Sequence, residues 1–286
     1  MARCDVCFRK CELAEGQTGA CGARICRDGS VQPVWYGRLS SLALDPIEKK
    51  PLLHFHPGSR ILSAGSLGCN LHCPFCQNHE ISQAGSRGDF AVKTENVPPA
   101  RLAAIAEACR DRGNIGIAFT YNEPLVGYEY VRDAAKSAHE KGLQCVLVTN
   151  GTASLQVLEE IAPHIDAMNI DLKGFTDRYY REVLKGDRDM VFAFIREAVR
   201  ICHVELTTLI VPGENDTREE MEEISGWISG LKNVYGGKTG REIPLHISRF
   251  FPRYRMTDRP PTDTAAVYAL AETAARNLKY VHPGNC

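Results

Sequence analysis

The sequence predicts an α/β protein: a partial TIM-type (β/α)6 barrel with a cysteine-rich, irregular N-terminal module. Three observations predict it. From Arg60 onward, short β-rich runs alternate with longer amphipathic stretches, the pattern of βα units on a parallel sheet. Six such units and one last strand can be counted, too few to close an eight-stranded barrel. Upstream, residues 1–58 hold five cysteines and six glycines with little helical periodicity. The module is therefore assigned to 1–58 and the barrel to 59–286.

Each element follows from local pattern. The strand-like runs are 60–67 (RILSAGSL), 115–120 (IGIAFT), 145–150 (CVLVTN), 167–172 (AMNIDL), 204–211 (VELTTLIV), 244–250 (PLHISRF) and 279–283 (KYVHP). Between them, PARLAAIAEACRDRG places Leu102, Ile105, Ala106 and Cys109 on one helical face. EYVRDAAKSAHEKG ends at Gly142, a residue suited to a left-handed C-terminal cap. TREEMEEISGWISGLK opens on Thr217 and acidic residues, as a helix N-terminus should. NVYGGKTGRE (233–242) reads as a flexible loop.

Composition narrows the function classes. A chain of 286 residues with 44 % hydrophobic side chains can bury a sizeable core. Its 34 basic and 35 acidic residues nearly cancel, so no global field calls for nucleic acid, a membrane surface or an acidic partner. The start, MARCDVCFRKC, lacks an apolar h-region, and no run approaches the ~18 apolar residues of a membrane span, so a cytoplasmic location is expected. Twelve cysteines in a reducing compartment point to metal or cluster ligation rather than disulfides.

In parallel β/α folds function collects at the C-terminal ends of the strands, and the unusual residues fall there. Gly68 to Asn78 (GCNLHCPFCQN) follows the first run and carries Cys69, Cys73 and Cys76. TYNEP with Asn122 and Glu123 follows the second, Thr149 and Asn150 the third, and Asp171 and Lys173 the fourth; His246 and Arg249 lie on the sixth. A structural zinc site takes four protein ligands. Three closely spaced thiolates suit instead an iron-sulfur cluster with one iron left open to a small chelating molecule. The competing reading is a zinc knuckle that borrows a distant His or Cys.

The spacing C-x-x-x-C-x-x-C on the loop after the first strand resembles the defining motif of radical S-adenosylmethionine (radical SAM) enzymes. That resemblance implies a 4Fe-4S cluster on Cys69, Cys73 and Cys76, with SAM chelated to the free iron. It implies reductive cleavage of SAM to a 5'-deoxyadenosyl radical that takes a hydrogen atom from a substrate. Phe75 matches an aromatic position that packs near the adenine, and Gln77 and Asn78 would steady the loop. Asn122 and Glu123 stand where members carry a GGE-like motif for the SAM amino group, although the glycines are absent. DLK (171–173) resembles the pyruvate formate-lyase activating enzymes and puts Asp171 and Lys173 on the SAM side of the pocket. His246 resembles a histidine that touches the SAM ribose there, and Thr149 and Asn150 would contact ribose or carboxylate.

Over nearly the whole chain, HFHPGSRILSAGSLGCNLHCPFCQNHEISQ, FTYNEP, NIDLKGF and ISRFFPRYRMTDRPPT are similar to the AmmeMemoRadiSam-system radical SAM enzymes. This implies an electron donor such as flavodoxin or ferredoxin, a small-molecule or polypeptide substrate, and Memo-like partner proteins. Activation of a glycyl-radical enzyme is the narrower alternative, and a non-catalytic zinc or iron-sulfur protein the alternative of another class. Longer members continue past Gly284-Asn285 with a cysteine-containing tail, whose function is not expected of a sequence stopping at Cys286.

Cys4, Cys7, Cys11 and Cys21 run as C-x2-C-x3-C-x9-C and form a second metal site, zinc or an auxiliary cluster, with Cys26 to spare. Structural readings stand beside the functional ones: Glu123 as a helix cap, Asp171 with Lys173 as a strand-end ion pair, His246 as a core histidine. His54 and His56 are expected at a strand edge, and Cys109, Cys145 and Cys202 as buried small hydrophobes. Arg249, Arg253 and Arg255 with Phe250, Phe251 and Tyr254 form a basic-aromatic patch near the expected substrate mouth.

Overall fold

The computed structural model describes residues 1–85 and 92–286. Its centre is one eight-stranded sheet made of Ser41–Pro46 (β1), Arg60–Gly65 (β2), Asn114–Phe119 (β3), Gln144–Thr149 (β4), Ala167–Asp171 (β5), His203–Ile210 (β6), Leu245–Arg249 (β7) and Val281–Gly284 (β8). The strands lie in chain order across the sheet. From β2 to β8 every neighbouring pair is parallel. Helices Pro99–Glu107 (α1), Tyr128–His139 (α2), Leu155–Ile161 (α3), Arg188–Ile201 (α4), Arg218–Ser229 (α5) and Thr264–Ala275 (α6) fill the crossovers. This is the open, partial barrel that the βα alternation predicts.

The sheet begins upstream of the division drawn at residue 59. β1 pairs antiparallel with β2 along its full length, from Ser41↔Gly65 to Pro46↔Arg60. As an edge strand half-buried on both faces, it carries neither alternation nor a continuous apolar run. The rest of the N-terminal region forms two-stranded hairpins, Ala2–Arg3 with Glu12–Leu13 and Arg24–Arg27 with Ser30–Pro33.

The helices are amphipathic as expected. α2 buries Tyr130, Val131, Ala134, Ala135 and Ala138, and Gly142 beyond it takes φ +65° while its N–H reaches the His139 carbonyl. Thr217 caps α5 by accepting from Glu220 N–H. α1 ends before Cys109, which is half-buried at the start of a 3₁₀ turn. Cys145 and Cys202 are buried, as read. Residues 233–242, expected to be a flexible loop, hold two 3₁₀ turns and a capping box between Thr239 and Glu242. After β5 a π-helical turn, Tyr179–Leu184, buries Tyr179, Tyr180 and Leu184; no sequence signal announced it.

The strands' N-terminal ends are filled by the segment linking β1 to β2. Ile47 and Leu52 pack with Ile61, Ala118, Val146 and Ala167 as an apolar floor. Beside it lies the fully buried carboxylate of Glu205, which accepts from Leu53 N–H (3.1 Å), His54 N–H (2.7 Å), His203 Nε2 (2.9 Å) and His246 Nε2 (2.7 Å). His54 Nε2 also meets His282 Nε2 at 2.8 Å. Two expectations are corrected here. His54 is a plug contact rather than a strand-edge residue, because its backbone and ring both bond to barrel groups. His246, expected at the SAM ribose, has its Nε2 committed to Glu205.

Burial disfavours the Glu205 anion, but its hydrogen bonds from His203, His246 and the His54 backbone prevail, holding the acid at about 2. Breaking a buried, fully bonded charge of this kind costs several kcal/mol. Glu205→Ala is expected to lower the unfolding free energy by about 3 kcal/mol or more in urea titration. Burial acts in the opposite sense on His54 and His282, pushing both below the usual 6.5. Their contribution to stability is present above 6.5 and is lost as pH falls through the lowered folded values. That of Glu205, lowered from 4.5, is lost only as pH falls from there toward 2. Urea midpoints measured from pH 8 to pH 3 should therefore decline in two stages, and His54→Gln should weaken the upper stage alone.

Candidate functional site

The loop that follows β2 carries Cys69, Cys73 and Cys76 and is pinned from several sides. Asn122 bridges it, its Oδ1 accepting from Ser66 N–H (3.0 Å) and its Nδ2 donating to the Gly68 carbonyl (3.1 Å). Asn70 Nδ2 donates to the Thr152 carbonyl (2.9 Å), and His72 N–H reaches the Leu184 carbonyl in the π-helical turn (2.9 Å). Asn78 Nδ2 donates to the Tyr121 carbonyl (2.8 Å). Gly68 has φ +93°, and a Cβ there would meet the Cys21 carbonyl at 2.7 Å; one on Gly85 would meet the Gly22 carbonyl at 2.8 Å. Glycine at both positions lets the loop dock against the N-terminal module.

Glu123 holds the neighbouring strand ends together. Its carboxylate accepts from Thr149 Oγ1 (2.7 Å), Asn150 N–H (2.8 Å) and Leu125 N–H (3.1 Å). The last contact is the helix-cap reading of the sequence; the other two tie β3 to β4. Asn150 Nδ2 continues to Asn70 Oδ1 (3.0 Å) and to Cys69 Sγ (3.6 Å). Burial outweighs the three donors and raises the Glu123 acid to about 7.

On the far side of the thiols, Lys173 Nζ meets Asp171 Oδ2 at 2.8 Å. Burial opposes the Lys173 charge, but Asp171 and the Cys73 thiol favour it more strongly, so its pKa is raised. Burial lifts the Cys73 thiol to about 11, with Lys173 pulling the other way, and lifts Cys69, with Glu123 adding to the effect. The Tyr179 hydroxyl is buried here without a hydrogen-bond partner, electrostatically coupled to Cys73 and Lys173. Phe75 is buried and packs edge-to-face on Phe250, ring centroids 6.2 Å apart.

The basic-aromatic patch is only partly a surface. Phe250 is core, and Arg249 Nε is spent on the Thr262 carbonyl at 2.6 Å. Tyr254 stacks on His79, and Arg255 N–H donates to the Pro74 carbonyl, so this segment braces the cysteine loop.

Sequence comparison gives this geometry its family. The Radical SAM superfamily profile matches residues 65–228, more than half of the chain. The chain belongs to the radical SAM superfamily. It is 37 % identical to an uncharacterized protein of Methanocaldococcus jannaschii over 99 % of this chain and 81 % of that one. It is 27 % identical to the pyruvate formate-lyase-activating enzyme of Clostridium pasteurianum, over 58 % of this chain and 68 % of the enzyme. Among solved structures, Streptococcus suis SuiB bound to S-adenosylmethionine shares the fold with a TM-score of 0.58 at 16 % identity, over 77 % of this chain and 49 % of SuiB.

Radical SAM membership makes the protein an enzyme and implies a 4Fe-4S cluster and SAM as its cofactors. The residues fit them. Three thiols sit on one pinned loop, and the partnerless, buried Tyr179 hydroxyl marks space that polar atoms of a bound group would satisfy. Asn122, Glu123, Thr149 and Asn150 do converge beside Cys69, but their hydrogen bonds run within the protein, as supports of the loop. Sequence reasoning missed Asn70, Tyr179 and Glu205. Asn70 lies inside the quoted cysteine motif, the one signal that could have found it. Replacing Glu123 by Gln can keep an oxygen for Thr149 and Leu125 but turns an amide N–H₂ toward the Asn150 N–H; unfolding free energy should drop by about 2 kcal/mol in urea titration. An unchanged midpoint would show that the strand ends are held by other contacts.

Proposed function

We propose that Cys69, Cys73 and Cys76 hold a 4Fe-4S cluster whose open iron takes SAM, and that the enzyme abstracts a hydrogen atom from its substrate. The observation that carries this reading is the three-thiol loop at the C-terminal end of β2, with the half-buried Lys173–Asp171 pair beside Cys73. When bound, the cluster would supply one electron to the SAM sulfonium. The chain's own part is placement. Asn122 and Glu123 keep the loop in register, and Asn150 offers an N–H to the Cys69 sulfur, as a thiolate ligand favours. Lys173 adds positive charge next to Cys73, which offsets the cost of a buried anionic cluster. Asp171 and Phe75 stand on either side of the thiols as the SAM-facing residues. Among the described residues no helix is long and apolar enough to cross a membrane.

The preferred substrate class is a polypeptide. Relatives named as activating enzymes for pyruvate formate-lyase and 4-hydroxyphenylacetate decarboxylase favour this reading over a small molecule. A flavodoxin- or ferredoxin-type electron donor and Memo-like partners belong to the same proposal.

Anaerobically reconstituted protein, reduced with dithionite and given SAM, should form 5'-deoxyadenosine detectable by mass spectrometry, and Cys73→Ala should lose it by at least a hundredfold. Full iron loading without the nucleoside would sink the proposal. A glycyl-radical EPR signal on a co-expressed partner would select activation over other polypeptide modification.

A further inference from the structure

We infer that Cys4, Cys7, Cys11 and Cys21 bind a second iron-sulfur cluster rather than zinc, directly adjoining the loop of Cys69, Cys73 and Cys76. The four cysteines, three within eight positions and the fourth ten residues on, line one cavity together with Arg9, Gly19 and Arg24. Cys4, Cys7 and Cys21 are buried, and Cys11 half-buried. Cys26 stands apart, its Sγ against Glu15 at 3.7 Å, and is not a fifth ligand.

Sulfur spacing separates the two metals. A tetrahedral zinc with Zn–S bonds of about 2.3 Å draws its four sulfurs to about 3.8 Å from one another. Among the described residues, His139, Cys145 and Asp166 form the one trio of His, Cys, Asp or Glu ligand atoms lying mutually within 4.8 Å. No three of the N-terminal sulfurs are that close. Nor are Cys69, Cys73 and Cys76. A four-iron cube admits wider separations than zinc, because each thiolate sits on a different iron.

Donors around the cavity also suit a cluster. The backbone N–H groups of Arg9 and Ala23 lower the Cys7 and Cys21 thiols against the burial that raises them. Arg24, 4 % exposed, lines the cavity and has a buried Nε–H without an acceptor. The inorganic sulfides of a cluster would add acceptors there beyond the cysteine sulfurs that either metal would leave.

Asn70 is the joint between the two sites. Its carbonyl accepts from Arg9 Nε in the N-terminal module (2.8 Å), it directly follows Cys69, and its Oδ1 accepts from the Asn150 amide that reaches Cys69 Sγ. The adjacency, though not the N-terminal site itself, rests on the cluster proposed above for Cys69, Cys73 and Cys76.

Metal analysis of anaerobically reconstituted protein tests this. The unaltered chain should hold about eight irons and eight sulfides, and the triple variant Cys69→Ser, Cys73→Ser, Cys76→Ser about four of each. The variant Cys4→Ser, Cys7→Ser should also keep about four, now on the other loop. About one zinc per chain with no iron in the triple variant overturns the inference, and should that variant misfold, four irons plus one zinc in the unaltered chain does so equally. Iron retained by the triple variant but absent from the double one sinks the proposed function and leaves this site standing. For adjacency, the dithionite-reduced EPR spectrum of the unaltered chain should be broader than the sum of the two variants' spectra. A simple sum overturns the contact through Asn70.

Discussion

An open parallel sheet that curls but does not close must fill its interior from its own chain, and here Glu205 fastens the filling. One carboxylate joins β6, β7 and the linker between β1 and β2, which are distant in sequence. Its four donors are two backbone N–H groups and two imidazoles. Because they close off the N-terminal end, the opposite end is left for loops. The apolar floor of Ile47, Leu52 and Ile61 then needs only to be shaped, not to supply the attachment.

The protein buries a second carboxylate at that opposite end, and the contrast is instructive. Glu205 and Glu123 both lose hydration and both accept several hydrogen bonds. Glu205 is held at about 2 and Glu123 raised to about 7. The donors make the difference: Glu205 has four, two of them imidazoles, whereas Glu123 has three amide and hydroxyl donors with Asp171 acting against them. A firmly ionised group thus anchors the closed end. One poised near neutrality lies beside Cys69.

Much of this was legible from sequence because it obeys local rules. The strand-ending motifs TYNEP, TNG and DLK announced which side chains meet, since parallel strands deliver their C-terminal ends to one face. Cys69, Cys73 and Cys76 were legible by spacing alone. What was not legible depends on contacts across the chain. β1 is recognisable only through its pairing with β2, and the π-helical turn Tyr179–Leu184 by its packing under the cysteine loop. His246 carries the signature of a ligand, yet its partner Glu205 sits 41 positions away. Nothing in the run VELTTLIV marks Glu205 as the hub.

The two glycines that flank the cysteine loop have a consequence for biogenesis. Gly68 and Gly85 rest on the main chain of residues 21 and 22, so the surface they rest on is itself shaped by Cys21 and its neighbours. The module emerges from the ribosome first and serves as the mould against which the later loop sets. A substitution that shifts the main chain at residues 21 and 22 would therefore pass directly into the later loop.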